Sequence, residues 1–514
     1  MNRPLACLFV ALASVGSASA KDLVGVYEDA LKSDPQIRQA DANRLASREA
    51  RPQAWSALLP QLAGTLSRTQ DKQDGSEAEG AIGSGAGTPT GPVQPVNGSS
   101  ASVPFLVNTT ARTWSLNLRE NLFSWSNWMS VKQADKEVAQ AEATYLAAQQ
   151  NLILRVAQAY FNVLSALDGL DANQASLEAI SRQLDQADKR FEVGLIAVTD
   201  VQEAKAARDT AAAAVIAAKR TLATAGDQLS EITGQKYDSL NKPGDDMPLN
   251  TPQPADEDRW VTVSLDQNVS LLSSRLQADI ARENVRIAFG GHLPTFDLIA
   301  SKSRTTSDGT ESIAGSPFSL NNGINDRQYT LQISVPLFSG GLTQSKVRQA
   351  QYQWIAAKEG VVQSSRATER QARDAYLGVI SGIARVQALR QALESSQTAL
   401  KATEAGYEVG TRTAVDVLNS RRTLVQAQTD YAVSRYDYIV SVIQLRLAAG
   451  NLSANDVTEV NKWLAVSAPT VPAQPIEAPA QPQVMEAPRE AAPAGQAQPA
   501  PQPITPTPPP EPRR

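Results

Sequence analysis

The sequence FEVGLIAVTDV at residues 191–201 returns in modified form as YEVGTRTAVDV at residues 407–417. The two copies lie 216 residues apart (407 minus 191). The same offset aligns AYFNVL at 159–164 with AYLGVI at 375–380. Because widely separated segments share one offset, the chain consists of a duplicated unit of roughly 200 residues and not of short solenoid repeats.

The duplication sets the expected domain boundaries. A first structural repeat covers 21–233 and a second covers 259–466. Between them, residues 234–258 are rich in Gly, Pro and Asp, which favours an irregular connecting segment. Residues 467–514 are mostly Pro, Ala and Gln, a composition that buries too little apolar surface to fold. We therefore expect a disordered tail after the second repeat.

Residues 1–20 have the pattern of a secretory signal peptide. A basic start precedes an apolar run over 5–15, and ASA at 18–20 forms an A-x-A cleavage site before Lys21. The single cysteine, Cys7, lies inside this segment. The exported chain is therefore expected to have no thiol, no disulfide and no thiolate metal site.

Composition argues against several functional classes. The formal net charge of -5 gives no reason to expect nucleic acid as a partner. One histidine, His292, without a cysteine builds neither a typical zinc site nor a catalytic triad. The sequence also has no phosphate-binding loop of the Walker type and no H-E-x-x-H motif. We expect no enzyme activity, no catalytic or metal site and no cofactor.

Short alternating segments are the candidate membrane elements. After the signal there is no apolar run of the 18 or more residues that a membrane helix needs. Strands of about 10 residues with alternating polarity also cross a membrane when their sheet closes. Two segments of each repeat fit this pattern: 61–70, 112–123, 295–302 and 328–338.

Polar residues connect the strands of each pair, at about 70–111 and 303–326, and are expected to be exposed loops. Four strands in one chain are too few to close a barrel, so a membrane role requires oligomerisation. Two soluble hairpins remain the alternative for the same segments.

Between the strands and the V-G motifs the pattern is helical and long. Ser126 is expected to cap a helix that ends at about residue 192, and the second copy runs over about 343–408; each approaches 100 Å. After each motif, apolar and small residues recur by threes and fours, which predicts coiled-coil packing. Shorter helices are expected over 22–58 and 265–289. The V-G motifs, at about 191–200 and 407–416, are the expected tips of the helical pairs.

The chain resembles the TolC-type outer-membrane channels of the outer membrane efflux protein family. The resemblance rests on the duplicated V-G motif, on VPLFSGG at 335–341 and on YEVGTRTAVDVL at 407–418, and it covers nearly all the chain except the tail. It implies a mixed α and transmembrane β fold. Long antiparallel coiled-coil helices would form a periplasmic α-barrel, and each chain would give four strands to a trimeric 12-strand β-barrel.

The family resemblance also implies a function. The protein would be the passive outer-membrane exit duct of a tripartite efflux or type I secretion system, with its helical part in the periplasm. Its partners would be two further copies, outer-membrane lipid, a periplasmic adaptor (membrane fusion protein) and an inner-membrane pump of the RND, ABC or MFS type. The alternative is a soluble periplasmic coiled-coil adaptor or scaffold. An adaptor, however, is expected to have one helical hairpin and not paired strands in both copies.

Individual positions carry the family's functional roles. Asp416 matches an acidic residue that lines the pore constriction, where it would confer cation selectivity, and the family's second acidic position is Asn419 here. Tyr407 and Arg412 match gate residues that tie the closed aperture to the neighbouring helix pair at Thr199 and Asp200. Helix capping is the alternative role for Thr199, Asp200 and Asp416.

The turns of the two V-G motifs are the expected contacts of the adaptor. Glycine at the centre of each motif permits a tight turn between the helices. The adaptor-contact residues implied by the resemblance are Val193, Gly194, Leu195, Val409, Gly410 and Thr411.

Overall fold

The computed structural model describes residues 20–78, 102–244, 246–313 and 315–470. The expected signal peptide up to residue 19, the middle of the expected loop 70–111 and the tail beyond residue 470 lie outside the described residues.

Three helices, not one, occupy 22–58. They are α1 (Leu23–Ser33), α2 (Pro35–Arg48) and α3 (Ala50–Ser56). The expectation of a single helix is wrong at Asp34, because a residue that precedes proline is driven out of the α region. Asp34 has extended backbone angles and accepts a hydrogen bond from the N–H of Gln36 (3.2 Å), so it caps α2.

Asp34 also connects these helices to α4 (Trp125–Glu192). Its carboxylate is almost fully buried and forms an ion pair with Arg155 of α4. A buried carboxylate without such a partner would carry a large desolvation cost. The ion pair therefore fixes where the α1–α2 corner lies along α4.

The long helix α4 has 68 residues and is about 100 Å long. Its cap is Ser124, whose hydroxyl accepts from the N–H of Asn127 (3.4 Å). The expectation that Ser126 is the cap is wrong. The hydroxyl of Ser126 donates instead to the carbonyl of Ile287 (3.1 Å), because the start of α4 packs against a helix of the second repeat.

Helix α5 (Val198–Thr233) returns along α4 after the first tip. It buries Val201, Ala204, Val215 and Leu222 at the expected spacing. The spacing by threes and fours that continues from Val201 and Ala204 predicts Arg208 in this stripe, but Arg208 is exposed and Ala207 is buried in its place. A small side chain permits close helix approach, whereas a guanidinium there would have to lose its hydration.

The second repeat has the same plan. Helices α6 (Glu257–Gln267) and α7 (Val269–Phe289) precede the strands, and α8 (Leu342–Glu408) and α9 (Ala414–Ala448) form the long pair. Asn268 separates α6 from α7 and caps α7 by accepting from the N–H of Leu271 (3.0 Å). A short 3₁₀ turn containing His292 leads into the strands. None of the helices in the described ranges is both long and apolar enough to cross a membrane.

The main sheet has four antiparallel strands in the order β1-β2-β4-β5. Its members are β1 (Gln61–Ala78), β2 (Ser102–Phe123), β4 (Thr295–Ile313) and β5 (Ser316–Ser334). The two repeats contribute one hairpin each, and pairing of β2 with β4 joins the hairpins. Strands β1 and β5 are left at the edges.

All four strands differ from the expected lengths. Most of 303–326 is strand and not loop, and β1 and β2 extend into the expected loop 70–111. The outer halves of β1 and β4 carry polar residues on both faces, so they lack the polar–apolar alternation that reveals a strand in sequence. Strand β5 ends at Ser334, short of residue 338, since Pro336 lacks the N–H that a ladder needs.

A second sheet pairs β3 (Ser239–Pro243) with β6 (Leu464–Pro469), which follows the short helix α10 (Ala454–Asn461). Two expectations are therefore wrong: 234–258 is not wholly irregular, since it contains β3 and the start of α6, and the segment after 466 is ordered to the end of β6. Leu240 and Ala468 lie opposite each other and are both buried. Backbone pairing supplies order where the side-chain composition does not.

The largest apolar core lies where α1, α4, α5 and α9 meet this second sheet. Phe161 stacks on Tyr436 with ring centroids 5.7 Å apart, and Tyr160 meets Phe161 edge to face. The hydroxyl of Tyr436 donates to Asp168 (2.6 Å) and that of Tyr160 donates to the carbonyl of Asn241 (2.6 Å). Burial, with the nearby Asp168 charge, raises the pKa of Tyr436, so the phenol stays protonated and keeps donating.

Candidate functional site: the two helical tips

Each tip is a tight turn centred on a glycine. Gly194 has φ of 75° and Gly410 has φ of 81°, both in the left-handed region that side chains disfavour. The N–H of Leu195 donates to the carbonyl of Arg190 (2.9 Å), and that of Thr411 donates to the carbonyl of Gly406 (2.8 Å). These bonds close the end of α4 and of α8, so the chain can reverse direction within five residues.

The tips present apolar side chains to solvent. Val193, Leu195 and Val409 are 69%, 73% and 75% exposed. The hydroxyl of Thr411 is turned back onto the carbonyl of Gly406 (3.0 Å), which leaves its methyl group available at the surface. Apolar groups so exposed at two adjacent turns are typical of a surface that contacts a partner.

The helix that follows the second tip begins with a capping box. The hydroxyl of Thr413 accepts from the N–H of Asp416 (3.2 Å), and a carboxylate oxygen of Asp416 accepts from the N–H and hydroxyl of Thr413 (both 3.0 Å). The hydrogen bonds that the Asp416 carboxylate accepts hold its pKa below the ordinary value, and the bond from the backbone N–H of Thr413 has the largest effect. The Arg412 charge acts in the same direction. Asp416 is therefore a cap and a stable anion together.

The first tip has no such box. Ala197 occupies the position that corresponds to Thr413, and it has no hydroxyl to accept a bond. Asp200 lies in the first turn of α5, where its negative charge interacts favourably with the positive end of the helix dipole. Its carboxylate has no hydrogen bond or ion pair among the described residues. Thr199 is likewise inside the helix, so neither residue caps it.

The four predicted gate residues, Thr199, Asp200, Tyr407 and Arg412, form no side-chain network with one another in the described part of the chain. Tyr407 lies beneath the guanidinium of Arg190, 5.4 Å from ring centroid to carbon. The side chains of Arg412 and Asp200 make no ion pair with each other or with another described residue. Asn419 is exposed one turn after Asp416. Arg412 and Asp200 are thus available to a group outside the chain.

Sequence reasoning missed two contacts near the tips. Arg190 has no arginine counterpart in the second copy, where Gly406 takes its place, so the repeat gave no signal for it. Arg421 of α9 pairs with Glu404 of α8 and locks the second helical pair just behind the constriction residues. An acidic residue on one helix and a basic residue on the next predict an ion pair only when the register between the two antiparallel helices is known. Within the described ranges, no three His, Cys, Asp or Glu side chains converge as metal ligands.

We expect Thr413→Ala to loosen the start of α9 without removing a charge. Loss of the hydroxyl removes the bond that it accepts from the N–H of Asp416 and the bond that it donates to the Asp416 carboxylate, and leaves only the bond from the backbone N–H of residue 413. Amide exchange in the first turn of α9 is therefore expected to rise about fivefold. Hydrogen exchange with mass spectrometry measures this. Ala197→Thr is the reciprocal control, because it completes a box with Asp200 and is expected to slow exchange in the first turn of α5. Unchanged exchange in both variants would contradict the capping role.

The family model described as outer membrane efflux protein matches residues 26–235 and 260–451. The chain belongs to this family. Outer membrane protein TolC of Escherichia coli (strain K12) is 36% identical over 460 residues, which cover 88% of this chain and 87% of that protein. Alkaline protease secretion protein AprF of Pseudomonas aeruginosa is 26% identical over 442 residues, covering 86% of each. The solved structure of outer membrane protein VceC from Vibrio cholerae has a TM-score of 0.62 at 20% identity, covering 83% of this chain and 96% of that one.

Membership of the outer membrane efflux family confirms the resemblance seen in the sequence. The fold class of long helical pairs plus membrane strands is confirmed, as is location in the outer membrane with the helical part in the periplasm. The protein is an outer-membrane exit duct, and the soluble-adaptor alternative is unsupported. The family is one of efflux channels and not of enzymes. Its two matched segments coincide with the two repeats.

Proposed function

We propose that three copies of this chain form one 12-strand barrel and a continuous helical tunnel. Each chain then contributes its four-stranded sheet, and β1 of one copy pairs with β5 of the next. The tunnel conducts cargo that an inner-membrane pump delivers, and the periplasmic tips open when an adaptor contacts them.

The observation that carries this proposal is the sheet with two open edges. Strands β1 and β5 have 18 and 19 residues and each lacks a partner on one side. In the hydrocarbon core of a membrane each unpaired backbone N–H or C=O group costs roughly several kcal/mol, so a sheet with open edges is not stable there. Closure by identical neighbours removes both edges at once, and three copies of four strands exceed the practical minimum of about eight.

The two faces of the sheet suit a closed wall between lipid and water. One face, which we call the lipid face, carries exposed Leu62, Leu66, Trp114, Leu116 and Tyr329. On the opposite face, hydroxyl groups bond across strands: Thr65 with Ser115 (2.7 Å) and Thr113 with Thr305 (3.0 Å). This division supports an apolar exterior and a polar lumen.

The exposed tips support an adaptor contact. Val193, Leu195 and Val409 cover the turns with apolar surface, and both turns lie at the end of the helices opposite the sheet. The family is described by efflux and the relative AprF by protease secretion, and these descriptions support the two kinds of system in which such a duct works. We propose a membrane fusion protein as the adaptor and an RND, ABC or MFS transporter as the pump.

The gate is proposed to form between neighbouring copies. Arg412 and Asp200 have opposite charges, and neither side chain bonds to the other or to another described residue. In the closed trimer, Arg412 of one copy can therefore bind Asp200 and Thr199 of the neighbouring copy. Asp416 and Asn419 then face the aperture. Asp416 then has two functions: it caps a helix within its own chain and it supplies a negative charge at the constriction.

The test is the stoichiometry and location of the purified protein. We expect the outer-membrane fraction to contain it and detergent-purified particles to hold three chains by native mass spectrometry. Reconstituted particles should conduct ions in a planar bilayer. A stable monomer, or recovery only from the soluble periplasmic fraction, would overturn the proposal.

A further inference from the structure

The strand register collects five cationic side chains in one cluster on the lipid face, at the outer edge of the apolar band. A sixth cation of this face, Lys72, lies four residues beyond Arg68 and outside the cluster. Arg68 lies directly opposite Arg112, and Lys302 lies directly opposite Arg327. Lys302 also lies opposite Leu116, which places it on the lipid face, and Arg304 follows on the same side. We call this set the basic belt: Arg68, Arg112, Lys302, Arg304 and Arg327.

The belt has no acidic partner in the described part of the chain. All five side chains are exposed, and none makes an ion pair there. The next carboxylate along this face of β4 is Asp308, four residues beyond Arg304. At the other end of the sheet the cation Arg119 does have a partner, Asp297, at 3.5 Å. The belt cations therefore differ from Arg119, which has a carboxylate within reach.

Two of the direct cross-strand pairs are cation against cation. Like charges directly opposite each other destabilise a sheet, whereas a shared counterion reverses the sign of the interaction. An oxyanion between Arg68 and Arg112, or between Lys302 and Arg327, accepts bonds from both cations. The arrangement thus favours a bound anion with several oxygen atoms.

The position of the belt indicates where that anion lies. Phe123 and Phe296 meet edge to face at the helical end of the lipid face, and Trp114 lies nine residues from Phe123 along β2. That spacing matches a membrane-crossing strand flanked by two rows of aromatic residues. The belt begins level with Leu116, where Lys302 lies with its Nζ 5.9 Å from the ring centroid of Trp114, and it continues away from the helices. Since the helices are periplasmic, the belt lies at the outer-leaflet headgroups.

We propose that the basic belt binds the phosphate groups of lipopolysaccharide in the outer leaflet. Arginine offers a planar pair of donors that fits a phosphate, and the apolar band directly below holds acyl chains of the same lipid. Threefold closure repeats the belt around the barrel, so the trimer holds a ring of phosphorylated lipid. This inference rests on the proposed barrel, because only closure turns the lipid face wholly outward.

The test compares lipid binding by the wild-type trimer and by a variant with fewer belt charges. In the variant Arg112→Gln, Lys302→Gln and Arg327→Gln are combined, which removes three of the five cations and keeps a polar, unbranched side chain at each position. The control combines Lys189→Gln, Lys205→Gln and Lys401→Gln, three exposed lysines on the helices far from the sheet. Native mass spectrometry and calorimetry measure binding of rough-type lipopolysaccharide, of the same lipid after phosphatase treatment, and of inorganic pyrophosphate.

We expect the trimer to bind the phosphorylated lipid at least about tenfold more tightly than the dephosphorylated one. The belt variant should lose this preference and the control should keep it. Equal binding of both lipids, or an unchanged preference in the belt variant, would overturn the inference. Pyrophosphate that binds as tightly as the lipid would overturn the assignment to a headgroup.

The same samples report on the barrel itself. Wild-type particles that lack three chains or do not conduct ions contradict the proposed assembly, whatever their lipid content. Trimers that conduct normally but show no phosphate preference contradict the belt alone. The two failures are therefore distinguishable.

Discussion

Replacing Asp416 with Asn is expected to abolish the cation selectivity of the channel and its block by multivalent cations from the periplasmic side. In the proposed trimer, threefold symmetry places three copies of this carboxylate around one aperture, where their mutual repulsion makes a bound cation favourable. Asn419 adds dipoles but no charge, so the ring carries about three charges. The reversal potential in a salt gradient measures the selectivity.

The structure supplies a control that separates charge from capping. Asp416 both caps α9 and carries the charge, and Thr413→Ala removes the cap while leaving the charge in place. We expect Thr413→Ala to keep the wild-type reversal potential and Asn419→Asp to increase selectivity. Glu203, the counterpart of Asn419 in the first copy, is exposed, and Glu203→Gln is expected to have a smaller effect. A normal reversal potential in Asp416→Asn would reduce this residue to a cap.

The selectivity is also expected to persist in moderately acidic solution. Hydrogen bonds from the N–H and hydroxyl of Thr413 lower the pKa of Asp416, and this opposes the upward shift that three close carboxylates impose on one another. A lowered folded-state pKa means that the charge and the cap are lost only as pH falls through that lower value. Measurements at about pH 5 should match those at neutral pH, whereas Thr413→Ala should lose selectivity at a higher pH.

The double variant Tyr407→Phe and Arg412→Ser is expected to raise conductance several-fold by weakening the closed state. Each bond of Arg412 or of the Tyr407 hydroxyl contributes about 1 kcal/mol when water competes, and symmetry repeats it in every copy. Single variants should therefore act weakly and the pair more strongly. Planar-bilayer recordings measure the conductance and the open fraction.

The contact between Tyr407 and Arg190 allows the role of the Tyr407 hydroxyl to be tested separately from that of its ring. Tyr407→Phe keeps the aromatic ring under Arg190 and removes only the hydroxyl, so an effect of this single change assigns a role to the hydroxyl. Arg390→Ser, which removes an exposed cation within α8 that pairs with Glu394, is the matched control and should conduct as the wild type does. Wild-type conductance in the double variant would refute the gate assignment.

Local sequence patterns predicted most of the helical architecture. The start of α4 lies two residues, and that of α8 one residue, from the expected position, because caps, periodicity and the V-G turns act over a few residues. The capping box is also readable from Thr413 and Asp416, three residues apart. Family membership, and with it the duct function, followed from motifs that survive in both repeats.

Pairing between distant segments was decided only by the tertiary structure. The outer halves of β1 and β4 have polar residues on both faces, so their order depends on backbone bonds to a neighbouring strand and not on a hydrophobic pattern. Ordering of β6 depends in the same way on β3, more than 200 residues earlier in the chain.

The sequence alone thus determined the repeats, the long helices and the tips, since each depends on residues close together in the chain. The tertiary structure decided the basic belt, the unpaired state of Arg412 and Asp200, and the contact of Arg190 with Tyr407. Each of these depends on the register between segments far apart in sequence. A shift of one residue would turn the belt to the other face of its strand, and no local pattern fixes that register.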